Sequence, residues 1–413
     1  MTPGKLTITL WDFTWYTRSG PGEPFEDLDR CFAEAVERGY NTVRICAMPL
    51  LLFRSGVDTS ALRLGPLGGG YGERVRWYDV RVATTVDARE RLLDLFRAAR
   101  RHDCFVVLSS WEYQQSPAFA LSPAWHDAVR AIDPEDRATA LADALADLLD
   151  LLDEHGLADR VAFTELHNEV QAGGLTEGLT GDPVVALRPR LKRGLARFKE
   201  RHPAQRVAVN YAGVPVGSLH GVPRTADVAV FHPYVYGVLD ELLDEFALRD
   251  TTRPFPQDRA RRDLLRPGAP DLDDWLPPEE QRWRLDATIV GRREVYVHDW
   301  CDPDKWDAWL HDRYATHRTA MRERLTTWID AAADWAAETG VPLVFGEGWI
   351  GYTPLHGAFE EGPVGAAFCR TAARAAARVG AWGSVVCSNA APHHPMWHDI
   401  ALQRECNTLI TRS

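Results

Sequence analysis

Eight apolar, strand-like runs alternating with helix-like segments predict an α/β chain folded as a (β/α)8 TIM barrel with a long insertion after strand six. Three observations carry that expectation. The alternation runs from end to end, as it does when βαβ units build a parallel sheet. The strand-like runs number eight. The pattern breaks once, between 237 and 319, where Pro, Asp, Arg and Trp accumulate in stretches such as RPFPQD and APDLDDWLPPEE. One domain is therefore expected over 1–413, with 237–319 as a lid-like insertion within it. The 413-residue length suits a barrel with insertions and would equally admit two domains.

The elements follow in order. Strand one is expected at Leu6–Phe13, then a helix from about Phe25 to Arg38 with Leu28, Phe32 and Ala35 on one face and Gly39 as its stop. Strand two is Thr42–Cys46. A glycine-rich connection, Pro49 to Thr84, leads to a helix from Asp87 to Arg101 and to strand three, Phe105–Ser109. Asp133 and Pro134 are expected to open the next helix, whose Leu141, Leu145, Leu148, Leu149 and Leu152 recur at helical spacing. Strand four is Val161–Leu166, and a helix over Pro183–Arg201 leads to strand five, Arg206–Asn210. The connection from Tyr211 to Thr225 is too short and broken for a good helix, and strand six follows at Asp227–His232. Beyond the insertion, a helix from Met321 to Thr339 precedes strand seven, Leu343–Glu347. A helix over Val364–Val379, strand eight at Ser384–Ser388 and a terminal helix complete the series.

Composition narrows the function. Apolar residues at 45% and charged residues at 26% describe an ordinary globular protein. A formal charge of −12 argues against tracking a phosphate backbone, so nucleic acid is not an expected partner. No apolar run is long enough to span a bilayer. The first ten residues lack a signal-peptide pattern, which points to a cytoplasmic location. Seven scattered cysteines without a C-x-x-C pair imply reduced core thiols rather than a disulfide frame or zinc ribbon. Oligomeric state is not legible.

Chemistry concentrates at strand ends, where barrel loops build sites. Glu169 closes VAFTELHNEV and Glu347 closes VPLVFGEGWIGY. Two carboxyl groups facing one cleft are what double displacement at a sugar carbon requires: one gives and takes a proton while the other attacks. Gly346 and Gly348 would let a sugar approach Glu347 without a Cβ clash. Glu165 is a rival to Glu169, but four positions along a strand would set it about 13 Å deeper, as a buried carboxylate paired with Arg44. Fifteen tryptophans are many; Trp11, Trp15, Trp111 and Trp349 follow strands, where indole faces could stack on sugar rings.

In order, GYNTVRI (39–45), ELHNE (165–169), FHPY (231–234) and FGEGW (345–349) resemble the cellulase-like enzymes of the clan A retaining glycoside hydrolases, with family 5 as the nearest pattern. The resemblance implies Glu347 as nucleophile and Glu169 as general acid/base, its pKa raised by burial and by the Glu347 charge. It implies that Asn168 bonds a sugar 2-hydroxyl, that Arg44 bonds the nucleophile, and that Tyr234 orients it, with His232 in the same network. Trp111, Glu112, Asn210, Tyr211 and Trp349, and equally Asp12 and Trp15, are candidates to touch sugar, with plain packing as the alternative. The sequence departs from the family pattern in having Val170 where proline is common after the acid/base. It also lacks the usual tryptophan at the end of strand eight, a place Trp397 or a lid tryptophan would have to take. His393, His394 and His398 have no metal-site spacing and are expected to line substrate or pack; HDWCDPD (298–304) is expected as a lid turn. No metal or cofactor is implied. The expected activity is that of a retaining, exo-acting glycosidase on short oligosaccharides or glycosides, the alternative being a carbohydrate-binding barrel without catalysis.

Overall fold

The computed structural model describes residues 4–67, 80–351 and 357–413. Part of the glycine-rich connection and Tyr352, at the end of the strand-seven motif, fall outside the described residues. Eight parallel strands close into a barrel: β1 (Leu6–Asp12), β2 (Thr42–Cys46), β3 (Phe105–Ser109), β4 (Val161–Glu165), β5 (Val207–Ala212), β6 (Val228–His232), β7 (Leu343–Phe345) and β8 (Gly383–Val385). Each strand pairs with the next in sequence and β8 returns to β1. Strand residues are buried almost without interruption, as a parallel sheet covered on both faces demands.

Seven principal helices pack outside: α1 (Leu28–Glu37), α2 (Ala88–Arg101), α3 (Arg137–Glu154), α4 (Pro183–Arg201), α5 (Pro303–Thr339), α6 (Pro363–Arg378) and α7 (Ile400–Thr411). Their starts obey capping chemistry. Asp27, Asp87, Asp182 and Asp302 each accept a backbone N–H of the first turn, and Pro183 and Pro303 occupy the first helical position. A short 3₁₀ segment, Val216–Gly221, stands where a helix between β5 and β6 would be. A two-stranded antiparallel ribbon, Leu62–Leu64 with Thr84–Val86, lies outside the barrel.

Two boundaries differ from expectation. Asp133 caps a turn, accepting from the Glu135 N–H, and α3 begins only at Arg137. The helix before β7 begins at Pro303, not near 321, and runs 37 residues. Its buried residues fall into two groups, Trp306, Trp309 and Leu310, then Met321 through Ala336. The polar stretch between them broke the apolar periodicity that sequence reading depends on. HDWCDPD is correspondingly no simple turn: it ends a helix (Arg292–Trp300) and supplies Asp302 as the cap of α5. The rest of 237–302 holds further short helices, including Val238–Glu245 and Gln257–Asp263. Its apolar side chains, among them Leu264, Leu265, Val295, Tyr296 and Val297, belong to the same buried cluster as the barrel. All seven cysteines are buried thiols. No helix among the described residues is long and apolar enough to cross a membrane.

Candidate active site

The chain leaves β4 in a tight turn rather than continuing extended. Glu169 sits at φ +40°, and its N–H is held by the Asn210 side chain from β5. The Asn210 amide also donates to Glu165 at 2.8 Å and to the His167 carbonyl at 3.2 Å. The turn folds Asn168 back beside Glu165, and both accept from Arg44 Nη2 at 2.7 Å. The expected strand spacing between Glu165 and Glu169 therefore does not apply, because the strand ends at Glu165. The departure at Val170 also has a cause: its N–H donates to the Asn210 carbonyl at 3.1 Å, a bond proline could not make.

Arg44, fully buried on β2, binds two carboxylates at once. Its Nε and Nη2 donate to Glu165 at 3.0 and 2.7 Å, and Nη1 donates to Glu347 at 2.7 Å. The other Glu347 oxygen accepts from the Tyr234 hydroxyl at 2.7 Å, and that hydroxyl lies 2.5 Å from Ser388 Oγ beyond β8. Cation and phenol together fix the direction in which the Glu347 carboxyl group points. His232 bridges the pair. Its Nδ1 lies 3.2 Å from Glu169 and 3.6 Å from Glu347. Burial, aided by the Arg44 charge, holds the ring far below the usual histidine range, so it is neutral.

A Glu169 oxygen, a His232 nitrogen and a Glu347 oxygen all lie within 4.8 Å of one another. Burial, then the nearby Glu347 charge, pushes Glu169 up to about 8, with Arg44 and Arg249 opposing. A carboxyl group protonated at neutral pH beside an ionised one can donate a proton while its neighbour attacks. The same three atoms have the spacing of metal ligands, but Arg44 already presents a cation to Glu347 at contact distance, which opposes a second one.

The two glutamates open into a cavity of about 750 Å³. Asp12, Trp111, Asn168, Glu169 and Glu347 line it from the barrel's strand ends, with Gln114, Ser388, Asn389 and His394; Tyr236, Arg249 and Glu294 line it from the chain that follows β6. Asn168 bonds Arg44 through its oxygen and Gln114 through Nδ2, at 3.0 Å. Arg44, His232 and Tyr234 are not among the lining residues. They are positioned behind the two glutamates rather than against substrate.

Several expectations are corrected. Glu112 is turned inward, accepting from the Leu50 and Leu51 N–H groups and from Trp125 Nε1 at 2.7–3.0 Å, so it braces the loop after β2 instead of touching sugar. Trp349 is 2% exposed and donates to the Val386 carbonyl. Trp15 donates to the Cys46 carbonyl, Trp11 packs on Phe25 and Phe32, and Tyr211 is buried against Phe231. Trp397 lies under Arg38 and stacks on Tyr40, so it does not replace the strand-eight tryptophan. Trp111 is the one tryptophan among the described lining residues. Gly346 makes room for protein, not substrate: a Cβ there would lie 2.8 Å from His232 Nε2. His393 bonds Thr14, while His394 faces the cavity. Tyr236, Arg249, Glu294, Gln114 and Ser388 were not anticipated. Tyr236 could have been found as a tyrosine two residues past Tyr234; Arg249 and Glu294 lie in a segment without periodic signal.

A closed parallel barrel whose strand ends converge on two carboxyl groups defines a fold of the glycoside hydrolase type. Residues 8–217, about half the chain, match the model of the sugar-binding cellulase-like family, and the chain belongs to that family. No curated protein sequence matches it. The fold is similar to that of a candidate glycoside hydrolase from Parabacteroides distasonis (TM-score 0.72, 18% identity, covering 98% of this chain and 93% of that one). An endo-β-1,4-mannanase from Thermotoga petrophila aligns over 99% of this chain and 77% of its own (TM-score 0.49, 13% identity). A broad-specificity endoglucanase from Clostridium acetobutylicum aligns over 91% and 86% (TM-score 0.44, 10% identity).

Proposed function

We propose that the protein is a retaining glycosidase that cleaves short oligosaccharides or glycosides by double displacement. Glu347 attacks the anomeric carbon while Glu169 protonates the departing oxygen; Glu169, then a base, activates the water that releases the sugar from the Glu347 ester. The observation that carries this reading is that an oxygen of Glu169 and an oxygen of Glu347 lie within 4.8 Å of each other. Retention works at about 5–5.5 Å, whereas inversion needs about 6.5–9.5 Å to seat a water. Arg44 and Tyr234 stabilise the attacking carboxylate, and the raised Glu169 pKa supplies the proton. On this reading Asn168 meets the 2-hydroxyl and Trp111 floors the sugar.

The exo preference and the lid are inferences about access. Residues between 248 and 294 contribute much of the cavity's lining, which favours a pocket over an open groove and so the end of a chain over its middle. Buried thiols agree with a reducing, cytoplasmic setting. The test is a screen of aryl glycosides across hexoses and pentoses, with Glu347→Ala and added azide. Wild-type turnover, loss in the variant and azide rescue to a product of inverted configuration are expected. Undiminished turnover by Glu347→Ala would remove the nucleophile, and wild-type inactivity throughout the screen would favour a binding barrel.

A further inference from the structure

We propose that Arg249 and Glu294 form a leaving-group subsite for an uncharged sugar, selecting oligosaccharides over simple aryl glycosides. The inference rests on the hydrolase reading above and adds a substrate class to it. Both residues line the cavity and both come from the segment after β6. Arg249 Nε donates to Glu294 Oε1 at 2.9 Å, and the guanidinium lies 4.9 Å from the centre of the Tyr236 ring. Among the described residues, Arg249 Nη1 and Glu294 Oε2 make no hydrogen bond. The cavity's other two arginines are committed to backbone. Arg292 donates to the Leu272 and Trp275 carbonyls, and Arg293 to those of Ala247, Asp250 and Arg253.

An open donor beside an open acceptor fits neighbouring hydroxyls, one accepting from guanidinium and one donating to carboxylate. The two charges cancel, so the pair gains little from a charged ligand. Its position follows from Glu169. A general acid must flank the scissile oxygen, and the Arg249 charge acts on Glu169, as the Glu169 charge acts on Tyr236. Arg249, Glu294 and Tyr236 line the same cavity as Glu169, and the proposal seats the departing group against them. A merely stabilising role explains little, because the Arg249 side chain is 49% exposed and water screens an ion pair that is open to it on one side.

The test compares a disaccharide with the 4-nitrophenyl glycoside of the same glycone, that glycone being the one the aryl screen selects. Arg249→Met and Glu294→Gln are each expected to lower kcat/KM for the disaccharide by about 10- to 100-fold, the loss of a hydrogen bond to a charged group. The aryl glycoside should lose several-fold less, with Arg249→Lys intermediate on the disaccharide. Equal losses on both substrates, or none on the disaccharide, would overturn the subsite while leaving the hydrolase reading intact. Wild-type inactivity on both substrates would sink the hydrolase reading and this inference with it.

Discussion

At the scale of single residues, burial and charge set Glu169 apart. Its folded-state pKa of about 8 places it protonated at neutral pH, so activity that needs its proton should fall as pH rises through about 8. A kcat/KM profile checks this, and a profile flat to pH 9.5 would contradict the acid assignment. The groups facing Glu169 are Glu347, which raises its pKa, and Arg44 and Arg249, which lower it, with neutral His232 between. Arg249→Met removes an opposing cation and should therefore move the alkaline limb upward. Arg44→Met leaves Glu165 and Glu347 buried without their cation and should destabilise the fold by about 3–5 kcal/mol in denaturant titration. The sequence showed the glutamates and Arg44 because single residue types at strand ends carry that chemistry. It could not show that Glu112 or Trp349 would be spent on backbone groups, since an inward or outward turn depends on contacts made only in the folded chain.

At the scale of elements, the strands were legible wherever continuous apolar runs met turn signals; β2 and β3 fall on their expected bounds. The β4 turn was not, because a residue at positive φ follows from the Asn210 clamp and not from local propensity. Helix α5 was misjudged at its start for the opposite reason: its middle is polar yet helical. Helices α3 and α4 pack closely through Gly194, where a Cβ would stand 2.7 Å from the Ala138 carbonyl oxygen and 3.0 Å from Leu166. Gly194→Ala gains helix propensity but forces the two apart. A net destabilisation of about 1–3 kcal/mol is expected, measured by urea unfolding. A stabilised variant would show that the interface yields more easily than its backbone contact implies.

At the scale of the whole molecule, alternation over the full chain made the barrel readable, while the segment after β6 offered no repeat from which to read its fold. Its apolar residues join the barrel's buried cluster instead of forming one of their own. Unfolding is therefore expected as one transition, with far- and near-ultraviolet circular dichroism and tryptophan fluorescence superimposing on heating. Two separated transitions would mean that the segment is an independent unit. The two junctions of this segment with the barrel are built differently. At one, α5 continues without a break for 37 residues, about 55 Å, into the approach to β7 and Glu347. At the other, a single glycine at φ +53° packs against Met321 and a two-turn helix gives way to irregular chain. A beam on one flank and a strap on the other make a cantilever, so amide exchange is expected to be quicker over 246–256 than along the beam.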